Sequence, residues 1–346
     1  MSQTMTRITL ARRPEGAPVP QDFRLEEGPV PAPGPGEVLV RVLWLSLDPY
    51  MRGRMDDAAS YAQPVPIGGT MEGGAVGEVV VSNAEGLAPG DAVFGMFGWA
   101  SHAVARGRDL RRLDPGLAPL STALGALGMP GFTGWHGLQA YGRPQAGETL
   151  VVAAATGPVG SMVGQLARLA GLRTIGIAGG PEKCALVTGT FGFDACLDHR
   201  AYADAKDLRA ALAEVCPDGI DIYFENVGGQ VMEAVMPLMN TGGRIPVCGM
   251  ISWYNAGGLG MNAGGARDML PRTWRMILVK RLAVTGFIIS DHWARFPEFL
   301  ADVGPRVASG EIAWLEDVAD GLAAAPEAFI GMLQGRNVGK QVVRVG

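Results

Sequence analysis

"ETLVVAAATGPVGSMVGQLARLAG", residues 148–171, decides how the rest of the chain is read. Its first part, "ETLVVAAA", is a short apolar run of the kind that forms a strand buried on both faces. Its last part, "PVGSMVGQLARLAG", places Val159, Met162, Val163, Leu166 and Leu169 at helical spacing. Between them, "AATGPVG" offers Gly157 and Gly160 for a tight turn and close backbone approach, and Pro158 suits the first helical position. A helix that starts there presents free N–H groups and partial positive charge, which suits a pyrophosphate. Gly157, Pro158, Val159 and Gly160 are therefore candidate phosphate-binding residues. Ala155 takes the first glycine position of a GxGxxG pattern, so the loop alone is also compatible with a plain strand–helix turn.

The segments that follow favour the phosphate reading. "RTIGIAG", "IDIYFEN", "GRIPVCG" and "LAVTGFII" read as strands, separated by the helical "PEKCALVTGTFG" and "QVMEAVMPLM". Strands alternating with helices predict a doubly wound parallel sheet over residues 129–302. The first third has a different texture. "GEVLVRVLWLSL" and "GGAVGEVVVS" are apolar strands bounded by the turns "APGPG" and "APGDAVFG", which predicts a small β-barrel or irregular β domain. The terminal "GKQVVRV" is a strand expected to return to it, so residues 1–128 and 303–346 form the second domain of an α/β protein.

Composition agrees with two soluble domains. The chain has 346 residues, 48% hydrophobic and 18% charged, and its 51 glycines fit many tight turns. A net charge of -5 gives no general attraction to nucleic acid or anionic lipid, so an anionic ligand needs a local site. The four cysteines lack metal-like spacing and read as reduced, cytoplasmic thiols. Two uncharged runs, 150–167 and 245–266, divide better into strand, loop and helix than into membrane spans.

At the end of the second strand, an NAD enzyme usually places an acid for the ribose. Here Ala178, Gly179 and Gly180 stand there, with Lys183 shortly after. The glycines impose no repulsion on a ribose 2′-phosphate, and Lys183 is placed to pair with it. One charge-assisted hydrogen bond contributes roughly 1.5–3 kcal/mol, about 10–150-fold in favour of NADPH. Glu182 leaves a ribose-hydroxyl reading open.

Taken together, these motifs resemble the zinc-free branch of the medium-chain dehydrogenase/reductases: prostaglandin reductases, 2-alkenal reductases and curcumin reductases. The resemblance covers almost the whole chain and rests on "LSLDPYMRGRM", "GGTMEGGAVGEV", "GMPGFTGWHGL", "AAATGPVGSMVGQLA", "IDIYFENVGG", "IPVCGMISWYN", "GFIISD" and "GRNVGK". It implies a GroES-like β-barrel domain around a Rossmann domain, an active site in the cleft, and a homodimer. It further implies that Lys183 holds the 2′-phosphate, with His199 at the position of a family tyrosine. Asn226, Cys248 and Ile251 match nucleotide-binding positions. Met129, Thr133 and Phe287, with Ile288 and Ile289, resemble residues around the nicotinamide. Asn337 resembles one that closes over the cofactor.

Zinc-dependent relatives carry a Gly-His-Glu motif where this chain has Thr70 and Met71, and "LSLDPY" lacks the corresponding cysteine. His102, His136 and His292 read as structural or surface residues, and no metal is expected. Without a Lewis acid, direct alcohol oxidation loses its usual stabilisation of an alkoxide. Reduction of an activated carbon–carbon double bond needs less. The expected reaction is hydride addition from NADPH to the β-carbon of an α,β-unsaturated aldehyde or ketone. Tyr254 and Tyr50 are the best side-chain donors to the developing oxyanion. The alternatives are a zinc-free quinone reductase, an NADP-dependent lipid-alcohol dehydrogenase, or a non-catalytic NADPH-binding redox sensor. Partners are otherwise limited to a small enone or alkenal, with no nucleic acid and no membrane.

Overall fold

The structure is a computed structural model that describes residues 4–58, 60–257 and 270–346. The chain divides into two compact units. Among the described residues, unit 1 comprises 4–128, 254–257 and 316–346, and unit 2 comprises 129–253 and 270–315.

Unit 1 opens with β1 (Thr4–Leu10) antiparallel to β2 (Phe23–Pro29). Next come β3 (Glu37–Ser46), the short helix α1 (Tyr50–Arg54), β4 (Ala75–Ser82), β5 (Ala92–Gly95), β6 (His102–Arg106) and β7 (Arg111–Arg112). Valines at positions 38, 40 and 42 of β3 are buried, and together with Leu45 they fix its register against β4 and β6. The core closes on aromatic rings. Phe23 stacks on Trp99 at 5.6 Å, and Phe329 meets Trp99 edge-on.

Unit 2 begins with α2 (Met129–Gly137), followed by β8 (Thr149–Ala153), α3 (Pro158–Leu169), β9 (Arg173–Ala178) and α4 (Pro181–Gly189). Then follow β10 (Ala195–Asp198), α5 (Ala205–Val215), β11 (Ile220–Phe224), α6 (Gly229–Val235), β12 (Met239–Val247), α7 (Leu270–Lys280), β13 (Ala283–Gly286) and α8 (Phe296–Ala308). The six strands form one parallel sheet in the order β10-β9-β8-β11-β12-β13. That is the doubly wound Rossmann order, with its switch point between β8 and β11. Val151, Val152, Ile175, Ile177, Ile222 and Phe224 are buried in this sheet, each contributing roughly 1.5–3 kcal/mol relative to exposure. The run that looked buried on both faces at residues 149–153 is so in fact.

Because α8 runs across residues 302–303, the chain re-enters unit 1 later, at Glu316. There β14 (Glu316–Asp320), α9 (Ala325–Leu333) and β15 (Lys340–Arg344) complete a sheet ordered β14-β15-β3-β4-β5-β7, with β6 also on β3. Among the described residues no helix is long and apolar enough to cross a membrane.

Candidate active site

In an open α/β sheet, ligands bind beyond the carboxyl ends of the strands, at the switch point. Several sequence candidates in unit 2 fall at those ends. Ala154–Gly157 follows β8, Gly179 follows β9, Asn226 lies two residues past β11, Cys248 follows β12, and Phe287–Ile289 follows β13.

The turn after β8 is built for close approach. Gly157 is the N-cap of α3 and Pro158 its first residue. A Cβ on Gly160 would lie 2.4 Å from the Ala154 carbonyl oxygen and 3.0 Å from the Ala155 Cα, so only glycine lets the helix start sit this tightly. Ala154 itself has φ 53°, a left-handed conformation uncommon for alanine. Asn226 braces the switch point by donating from Nδ2 to the Ala153 carbonyl at 2.9 Å.

Glu225, which the sequence reading passed over, organises the neighbouring loop. Its Oε1 accepts from Val227 N at 2.6 Å and Gly228 N at 2.8 Å, and Oε2 accepts from the buried Tyr223 hydroxyl. Its carbonyl receives Cys248 N at 2.9 Å, while Asn226 and Val227 carbonyls receive Ile251 N and Ser252 N. The loop after β12 is thus pinned to the loop after β11. Burial, and then the Glu225 charge, pushes the Cys248 thiol up to about 12, so it presents as a protonated thiol.

Beyond β9 the structure adds a residue. A Cβ on Gly179 would lie 2.8 Å from Arg200 Nε and 3.1 Å from His199 Nε2. Both side chains therefore stand over the bare turn. Burial, Arg200 and Lys183 depress the His199 pKa, with Asp198 opposing them, which places all three basic groups in one electrostatic neighbourhood. Asp198 is committed to the backbone, accepting from Gly180 N at 2.7 Å and Arg200 N at 2.9 Å. Burial opposes its ionisation, yet these bonds hold its carboxyl below the usual range. Lys183 sits in the first turn of α4. The result is a cationic cradle with no carboxylate on Gly179 to oppose a phosphate dianion. Arg200 directly follows His199, and that doublet of basic residues was the available signal.

Other candidates are held less directly. Thr133 donates to the Met129 carbonyl at 2.7 Å within α2. The Phe287 ring packs among Phe224, Tyr141 and His136, and a Cβ on Gly137 would touch it at 2.7 Å. His136 and His292 stack at 4.1 Å within this cluster, as structural residues do. In unit 1, Asn337 donates to the Gly339 carbonyl. Tyr254 lies in a short 3-10 turn, Ile251–Ala256.

Tyr50 begins α1, directly after Asp48 and Pro49. Burial first, then the Asp48 and Glu72 carboxylates, drive its pKa far above the usual phenol value, with Arg54 opposing. It is a hydrogen-bond donor that keeps its proton. The Arg54 guanidinium lies 5.6 Å from the Tyr50 ring centre and 4.6 Å from that of Tyr61. Arg54 Nε is 3.4 Å from Glu72 Oε2, an ion pair by distance without hydrogen-bond geometry. Glu72 also lines a cavity of about 420 Å³ with Thr70, Met71, Gly73, Met96, Phe97 and Gly98. The preceding turn is fixed by Lys340, whose Nζ donates to the Leu47 carbonyl and to Asp48 Oδ1, while Ser46 Oγ donates to Asp48 Oδ2. Trp99 and Trp135 are core residues. Among the described residues no three His, Cys, Asp or Glu side chains gather as a metal site.

A Rossmann sheet with a phosphate turn, joined to a separate β unit, defines a dinucleotide-dependent oxidoreductase. The family descriptions "N-terminal domain of oxidoreductase" and "Zinc-binding dehydrogenase" match residues 6–113 and 158–303. The chain is 52% identical over 344 residues to the NADPH-dependent curcumin reductase of Escherichia coli K12, covering 99% of this chain and 97% of that one. It is 40% identical to the NADP(+)-dependent 2-alkenal reductase of Nicotiana tabacum, over 90% and 88% of the two chains. Its fold matches CurA from Vibrio vulnificus in complex with NADPH at a TM-score of 0.92 and 49% identity, with 99% of each chain covered. The chain belongs to the medium-chain dehydrogenase/reductase family, in its zinc-free branch.

Proposed function

We propose that this protein is an NADPH-dependent reductase of the carbon–carbon double bond in α,β-unsaturated aldehydes and ketones. The observation that carries the cofactor reading is the cradle at Gly179, where His199 and Arg200 stand over the turn and Lys183 shares their field. The tight Gly157–Gly160 turn is assigned to the pyrophosphate, and Asn226, Cys248, Ile251 and residues 287–289 to the rest of the nucleotide. Met129 and Thr133 flank the nicotinamide, and Asn337 closes over the cofactor. Bound NADPH supplies the hydride that adds to the substrate β-carbon.

The chain's own part is binding, orientation and charge. Positioning donor and acceptor supplies much of the rate. Tyr50, kept protonated by burial and two carboxylates, donates a hydrogen bond to the carbonyl oxygen as negative charge develops there. Tyr254 is assigned the same task. Hydrogen bonding to the oxyanion requires no proton transfer from either tyrosine, so the proton taken by the α-carbon is assigned to water.

The protein is further assigned to the cytoplasm and to a homodimer. Strand β13 is a sheet edge, with Val284 exposed on it and Trp274 and Leu278 exposed on α7, a pattern that suits burial against a second copy. Trp274→Glu is then expected to yield monomers in light scattering, and unchanged mass would refute this assignment. The activity is tested by loss of NADPH absorbance with a medium-chain trans-2-alkenal, beside the saturated aldehyde and a quinone. Turnover is expected with the alkenal. Turnover confined to the quinone would replace this reading.

A further inference from the structure

Two of the four cysteines face each other beside the cationic cradle. Cys184 lies in α4, directly after Lys183, and Cys196 lies in β10, three residues before His199. Their Sγ atoms are 2.8 Å apart, both thiols are free, and both side chains are only partly buried. A disulfide has an S–S length of about 2.05 Å, so the sulfurs need to close by less than about 1 Å, within the reach of side-chain torsions. Neither thiol has a task in the reaction above.

We propose that Cys184 and Cys196 form a dithiol site that hydrogen peroxide converts to an intrachain disulfide, locking α4 to β10 without displacing the Gly179–Gly180 turn. Cys196 donates its S–H to Cys184 Sγ, a bond that favours the thiolate on Cys184. Cys184 is therefore the attacking sulfur and Cys196 the resolving one. The Cys184 thiolate, its proton lost to solvent, attacks one peroxide oxygen. The O–O bond breaks, hydroxide leaves and is protonated to water, and Cys184 becomes a sulfenic acid. Cys196 sulfur then attacks Cys184 sulfur, the S–O bond breaks, and hydroxide departs with the Cys196 proton as a second water. Two thiols are oxidised by two electrons and one peroxide is reduced. Burial pushes both thiols up, so the first step is slow at neutral pH.

The position gives the bond its consequence. It ties together the two segments that carry Lys183 and His199–Arg200, so the oxidised protein holds its cradle in place. That consequence rests on the cofactor reading above; the chemistry of the sulfur pair does not.

The test uses the whole reduced protein, treated with hydrogen peroxide, blocked with N-ethylmaleimide and digested without reductant. Mass spectrometry is expected to find the Cys184–Cys196 peptide pair, two hydrogens lighter than its reduced sum and removed by dithiothreitol. The thermal midpoint of the oxidised protein is expected to rise by about 5 °C, and not to rise in Cys184→Ser or Cys196→Ser. NADPH turnover of the oxidised protein should stay within about twofold of the reduced protein. A sulfinic acid on Cys184 with no cross-link, or a bond to Cys216, Cys248 or another chain, overturns the site. A cross-linked protein that no longer turns over NADPH overturns the claim that the turn stays in place. The cofactor reading is judged separately, by Lys183 and Arg200 variants of the reduced protein.

Discussion

Removing the cations of the Gly179 cradle should change the choice of cofactor more than the reaction. Arg200 and His199 stand within about 3 Å of where a Gly179 Cβ would lie, and Lys183 acts on the same imidazole. One charge-assisted bond to a phosphate oxygen contributes roughly 1.5–3 kcal/mol. Arg200→Ala and Lys183→Ala should therefore each lower kcat/KM for NADPH by about 10–150-fold. NADH lacks the 2′-phosphate, so its kcat/KM should change little, and the preference for NADPH should collapse. The double variant should lose less than the product of the two. Both cations depress the His199 pKa, so losing them favours imidazolium, which compensates in part. The assay is initial-rate kinetics with each cofactor at saturating enone, repeated at pH 6 and pH 8. A parallel fall for NADPH and NADH would show a general disturbance and refute the phosphate assignment. So would unchanged NADPH kinetics in both variants.

Other outcomes follow from geometry elsewhere. Gly160→Ala places a methyl 2.4 Å from a backbone oxygen that cannot rotate away; the turn must shift, and KM should rise about tenfold for NADPH and NADH alike, checked by the same kinetics. Lys340→Met strands the buried Asp48 and should cost about 3–5 kcal/mol in urea unfolding, with Asp48→Asn added to it restoring most of the loss. His136 carries a pKa depressed from 6.5 to about 4 by burial, His292 and Arg295. The unfolded chain then binds more protons between those values, so stability is full above pH 6.5 and falls as pH drops towards 4. After allowance for screening the loss is about 1–2 kcal/mol, and His136→Phe should flatten this part of the pH–stability curve measured by thermal melting.

Much of this was legible in the residues. Apolar runs at 149–153, 173–178 and 220–224 and the helical spacing at 158–169 each had one local solution, and the parallel order followed from their alternation. Gly160 announced the turn because no side chain fits where it stands, and a Cβ on Gly157 would lie a tight 3.2 Å from the Ala154 carbonyl oxygen. What escaped was long-range or sat in irregular backbone. The tie of Lys340 to Asp48 joins residues on opposite ends of the chain, and neither shows a partner in its own neighbourhood. Arg200 reaches Gly179 from the 3-10 turn His199–Ala201, which Asp198 caps. Glu225, a charge closing an apolar strand, carried a signal that went unused: such a carboxylate must be satisfied, and here adjacent backbone amides and Tyr223 do so.

The proposed reaction reduces the double bond, not the carbonyl. The most direct measurement uses NADPH carrying deuterium at the transferable position of nicotinamide C4, with a trans-2-alkenal, and locates the label in the product by NMR. We expect a saturated aldehyde with one deuterium on the β-carbon and an intact carbonyl. Deuterium on a carbinol carbon, with the double bond retained, would show carbonyl reduction instead and overturn the proposed reaction.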